Sequence, residues 1–145
     1  MTGVQTCALP ISIAAKKVSD LKKRVQIANE TPGAILVSIH QNYFSDSRYS
    51  GAQVFYSDSE SSKDLARILQ SDIAQHLDNK NKRQIKKADG VYLMQKIQCT
   101  GVLIECGFLS NHQEEAKLRS PEFQKKLCCT IAVSISNFLD RNAVR

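Results

Sequence analysis

Two stretches of this chain end an apolar run on a residue that can do chemistry. Ala34 to Asn42 reads AILVSIHQN, five apolar residues in its first six and then His40, Gln41 and Asn42. Gly101 to Asn111 reads GVLIECGFLSN and repeats the pattern, with Glu105 after the apolar run and a small-residue turn beyond it. A buried strand delivers polar side chains to a cleft in this way. If the two strands are parallel neighbours, their carboxyl ends share one sheet edge, where ligands bind in open α/β folds. His40 and Glu105 then face one site. A His that ligates a metal and a Glu that accepts a proton form a hydrolase pairing. A lone His at a strand end is also commonly a satisfied structural residue. The carboxylate is harder to explain that way, because burial after an apolar strand is costly unless the group is paired, bonded or used.

Strands and helices alternate through the chain, so the expected class is α/β, three layers with a mostly parallel central sheet flanked by helices. Val18, Leu21, Val25 and Ala28 recur at helical spacing over Ala15 to Asn29, and Thr31, Pro32 and Gly33 end that helix before the first strand. Tyr43 to Ser50 lacks a period and reads as a loop over the cleft, and Gly51 to Tyr56 reads as a short strand. The next helix carries Leu65, Leu69, Ile73 and Leu77 on one face; Ser57 with Glu60, or else Ser61, supplies its cap. Asp78 to Gly90 is a basic loop, and Val91 to Met94 is expected as a strand before Gly101 to Glu105. Asn111 caps a short helix through Leu118. Ser120 and Pro121 start a long last helix whose stripe is Phe123, Leu127, Ile131, Ile135 and Phe138 or Leu139, and which packs on the sheet.

At 145 residues the chain is long enough for one domain with its own core. The net charge of +6 favours anionic partners, of which nucleic acid and an acidic wall polymer are two. Lys80 to Lys87 lacks the interleaved aromatics and the motifs of a nucleic-acid module, so nucleic acid is not an expected partner. No apolar run is long enough for a membrane segment. Cys99, Cys106, Cys128 and Cys129 have neither metal-site nor disulfide-scaffold spacing and read as buried apolar fillers. Residues 1–12, MTGVQTCALPIS, carry no charge and no positive leader region. They look like a translated sequencing-adapter remnant, a non-native leader that leaves 13–145 as the domain.

Four segments stand in an order that resembles one family: SIHQN at Ser38 to Asn42, GAQVFY at Gly51 to Tyr56, KRQIKKADGVYLM with its Arg83 and Lys86, and LIECGFLSN at Leu103 to Asn111. Together they are similar to the zinc-dependent N-acetylmuramoyl-L-alanine amidases, above all the germination-specific (spore cortex) type. The resemblance spans about Lys16 to Leu139. It implies a hydrolase of the amide that joins N-acetylmuramic acid to L-alanine in peptidoglycan, with Zn2+ as cofactor, His40 as a metal ligand, Glu105 as catalytic base, and Asn42, Arg83 and Lys86 as substrate-binding positions. It also implies an extracytoplasmic setting, with peptidoglycan as partner and an export signal not present in this sequence. The family's two other zinc ligands, an upstream His and Glu, have no match before Ala34, where the sequence holds no His and only Glu30. The expectation is therefore a partial catalytic domain lacking the family's first strand and helix, inactive alone. The alternative is a non-catalytic, amidase-like module that binds peptidoglycan.

Overall fold

In the computed structural model, residues 14–143 are described. The proposed leader, 1–12, lies outside them. Helix α1 (Ala14–Glu30) leads through a turn in which Gly33 takes φ +70°, a conformation open to glycine, into strand β1 (Ile35–Asn42). Strand β2 (Gln53–Tyr56), helix α2 (Glu60–Leu77), the two-residue strand β3 (Lys86–Lys87), helix α3 (Tyr92–Lys96), strand β4 (Thr100–Phe108) and helices α4 (His112–Arg119) and α5 (Pro121–Ala143) follow.

The four strands form one sheet in the order β1-β4-β2-β3. β1 and β4 run parallel, as do β2 and β3, while β2 and β4 are antiparallel. One face carries Val54, Val102, Ile104 and Cys106 against Leu65, Leu69 and Ile73 of α2 and Leu118 of α4. On the other face Leu36, Phe55 and Leu103 meet Leu21 and Val25 of α1 and Leu93 and Met94 of α3. This alternation of side chains across a pleated sheet gives the three expected layers.

Several local expectations are corrected. Val91 to Met94 is not a strand: the Asp89–Gly90 turn, with Gly90 at φ +83°, reverses the chain into α3, which buries Leu93 and Met94 on one side. Those two contacts override the β-forming character of Val91 and Tyr92. The loop expected over Asp78 to Gly90 contains β3, paired with Phe55 and Tyr56. Ser59, not Ser57 or Ser61, caps α2 by accepting from the Ser62 amide at 3.1 Å. Ser57 is instead a buried hydroxyl 2.7 Å from Ser62 Oγ, and Ser61 meets Thr100 Oγ1 at 2.6 Å. Helix α5 buries Leu127, Ile131 and Phe138 but lies mainly against α2 and α4 rather than on the sheet, and Leu139 is exposed. Cys128 and Cys129 are exposed, so they are not core fillers; Cys106 is buried, and burial pushes its thiol up to about 11.

Candidate active site at the carboxyl edge of the parallel pair

The register fixes the site. His40 is the direct partner of Glu105 across the parallel β1–β4 pair, and Glu105 is in turn the partner of Gln53 across β4–β2. Residues in register share a sheet face, so one polar row, His40–Glu105–Gln53, crosses three strands. Beyond it the ladder is interrupted: Asn42 pairs with Phe108, two residues on β1 against three on β4. Such a bulge bends the strand and re-aims side chains beside it. A Cβ at Gly107 would crowd the side chains behind it, lying 3.2 Å from Glu114 Oε2 and 3.3 Å from Leu118 Cδ1.

His40 is exposed at the strand end, and its Nε2 lies 2.8 Å from Ser38 Oγ, which holds the imidazole on the face of the row. Glu105 is half-buried, and its Oε2 is buried with no hydrogen-bond partner. Burial holds its carboxyl above the usual carboxylate range, and the charge of His40 only partly offsets this. A carboxylate so placed is a stronger base than a solvated one. Gln53, itself buried, donates through Nε2 to Gln84 O at 2.7 Å and accepts at 3.2 Å from Arg83 Nη1.

Arg83 is therefore built into the wall. Its Nε donates to Ser50 O at 2.6 Å, and its guanidinium lies 4.6 Å from the centroid of Phe108 and 5.8 Å from that of Tyr49. Lys86 sits on β3 as the partner of Phe55, two positions along β2 from Gln53, with its side chain exposed. Asn42 shapes the edge: its Oδ1 accepts from the Tyr43 amide and its carbonyl from the Leu109 amide, both at 2.8 Å. His76 and His112 are exposed on α2 and α4.

Sequence reasoning missed the group that holds this edge together. Glu114 is a buried carboxylate that accepts from the Phe108 amide at 2.8 Å through one oxygen and from the Gly51 amide at 2.9 Å through the other. It ties the bulge after Glu105 to the start of β2. Its position three residues after the Asn111 cap was visible, but that spacing suggests only a capping role. Among the described residues no three His, Cys, Asp or Glu side chains form a metal-binding group. A catalytic zinc takes three protein ligands and keeps one open position, so His40 and Glu105 do not by themselves fit a complete zinc centre.

The raised Glu105 pKa has a signed consequence for stability. A carboxyl whose folded pKa lies above its unfolded value carries no penalty below the unfolded pKa, and destabilises the fold as pH rises through the folded one. Glu105→Gln should therefore stabilise the protein at pH 7, by less than about 1 kcal/mol because solvent screens a half-exposed group, and have little effect at pH 4. Urea unfolding at the two pH values measures this; equal effects at both, or destabilisation at pH 7, would contradict the placement of the carboxyl.

Known proteins resemble this chain in sequence and in overall fold. The family profile described as N-acetylmuramoyl-L-alanine amidase matches residues 9–137. The germination-specific N-acetylmuramoyl-L-alanine amidase of Bacillus subtilis is 35% identical over 124 residues, which are 85% of this chain and 52% of that protein. This chain thus spans about half the length of that relative. Among solved structures, the CwlD amidase from Clostridioides difficile, in complex with the GerS lipoprotein, superposes with a TM-score of 0.84 at 34% identity, covering 96% of this chain and 71% of that one. An N-acetylmuramoyl-L-alanine amidase from Clostridium difficile 630 gives 0.76 at 30% identity, covering 83% of this chain and 65% of that one. The profile spans most of the chain, including all three strands that carry the polar row, and the chain belongs to the N-acetylmuramoyl-L-alanine amidase family.

Proposed function

We propose that this chain is the part of a peptidoglycan amidase domain that carries the catalytic base, acting on the amide between N-acetylmuramic acid and L-alanine. The observation that supports this most directly is Glu105, a half-buried carboxyl with a raised pKa and an unpartnered oxygen, in register with His40 in a family member. In this reading Glu105 takes the proton of the attacking water and returns it to the leaving amine of L-alanine. Ser38 orients His40, which would be one ligand of a zinc ion in a complete domain. Zinc would supply a water acidic enough to attack near neutral pH. Lys86 and Asn42 flank the substrate path, while Arg83 holds Gln53 and Ser50 at its wall.

The remaining zinc donors are not among the described residues, and this supports two readings of the chain by itself: an incomplete enzyme, or a module that binds peptidoglycan without cutting it. Retention of Glu105 favours the first, because a binding module has no use for a costly buried base. The setting is extracytoplasmic, at the cell wall or spore envelope, as expected for a chain similar to a germination-specific amidase. In this reading a lipoprotein is the class of regulatory partner, as in the complex formed by the CwlD neighbour.

Two outcomes are expected. The isolated chain should bind no stoichiometric zinc and release no new L-alanine amino termini from peptidoglycan; one-to-one zinc in the purified protein would contradict the donor set described here. In a form of the domain supplied with the further donors, Glu105→Gln should lower kcat by about 10²- to 10⁴-fold with KM little changed. A loss of less than tenfold would remove Glu105 from the role of base.

A further inference from the structure

The loop after β1 and the turn after α2 border a shallow, open cavity of about 650 Å³, lined by Arg48, Tyr49, Lys80, Asn81, Lys82 and Arg83 among others. We propose that this cavity is the subsite for free carboxylates of the stem peptide. The inference rests on the peptidoglycan reading above and extends it to residues outside the polar row.

Charge is the first support. Asp46 is paired with Arg48 through both oxygens, at 2.7 to 3.1 Å, while Asp78 accepts from the Lys80 amide at 3.2 Å and keeps its charge, so Arg48, Lys80, Lys82 and Arg83 leave the lining net positive. Lys80 and Lys82 are exposed, and among the described residues neither forms an ion pair. Arg83 is committed to Ser50, Gln53 and Phe108. The cavity thus presents two ammonium groups with no acidic partner, on a floor made rigid by Arg83. Asn81 fixes the turn that carries them, donating to Ala52 O at 2.8 Å and accepting from the Arg83 amide at 2.9 Å.

Position is the second support. Gln53 is the partner of Glu105 on β2, and Gly51, two residues back along the chain, is part of the cavity lining. Arg83, which lines the cavity, donates to Gln53 Oε1 at 3.2 Å, so one side chain links the cavity to the partner of Glu105. A stem peptide whose first amide sits at Glu105 therefore brings its following residues, and their carboxylates, to Lys80 and Lys82. A nucleic acid or another polyanion would satisfy the charge but has no reason to lie next to the catalytic carboxyl.

The test uses two probes, muramyl-L-alanyl-D-glutamate and the same compound with both carboxylates amidated, titrated by NMR into this chain and into Lys80→Glu/Lys82→Glu. Both lysines are exposed, so the variant keeps the fold; Lys22→Glu/Lys125→Glu, equally exposed and outside the cavity lining, controls for net charge. The diacid should bind about fivefold to tenfold tighter than the diamide, with shifts centred on residues 48–51 and 80–83. The cavity variant should erase the difference, and the control should keep it. Equal affinity of the two probes, with shifts at His40 and Glu105, would overturn this subsite and leave the amidase reading standing. If neither probe moves any resonance, the peptidoglycan reading fails and the subsite with it.

Discussion

The structure turns on one costly placement: a carboxyl at the end of the central strand β4, with one oxygen buried and unpartnered. Ordinary folding would remove such a group, since an apolar residue or a bonded polar one would fit the same space at lower free energy. Its presence is explained by what lies on either side. Parallel pairing with β1 puts His40 at its flank, and antiparallel pairing with β2 puts Gln53 on the other. The same row could not form if either strand slipped by one residue, because a slip of one sends every side chain to the opposite face.

What holds that register is hydrophobic on one face and polar at the edge. Val54, Ile104 and Val102 are fully buried against α2, so the strand alternation cannot shift without exposing them. At the open edge, where packing ends, charged groups take over. Glu114 fastens the Phe108 and Gly51 amides, and Arg83 fastens Ser50 and Gln53 while lying against Phe108. Asn111 caps α4 and also donates to Ser47 O at 3.0 Å, and Ser110 Oγ accepts from the Phe44 amide at 3.2 Å, so the loop after β1 is pinned to the turn after β4. These groups create a fixed edge around a carboxyl that is itself left free.

The central pair was legible in the sequence because two signals coincide. An apolar run long enough for a buried strand, ended by a titratable residue, predicts both the strand and the place where its chemistry emerges. Helices α1, α2, α4 and α5 were legible from their stripes and from Asn111 and Ser120. What could not be read depended on contacts distant in sequence. Val91 to Met94 has the composition of a strand, but Met94 and Leu93 become helical because a pocket under Leu103 and α1 takes them. Three serines compete for the cap of α2, and the choice of Ser59 is made by Ser57 turning inward to Ser62 and Ser61 outward to Thr100. Arg83 and its lysine neighbours look alike in a charge run. Only the fold shows that Arg83 faces the Phe108 ring while Lys80 and Lys82 face a cavity. Glu114 carries no local sign that both of its oxygens reach backbone amides of two other segments.

The most direct test is the titration of Glu105 itself, followed by NMR through its side-chain carboxyl carbon in the folded protein, with Glu105→Gln to assign the signal. A midpoint above that of an ordinary solvated glutamate, falling to the ordinary value when the protein is unfolded in urea, is the expected result. A midpoint at or below the ordinary value in the folded state would mean that the carboxyl is solvated or paired, and the site as described would not exist.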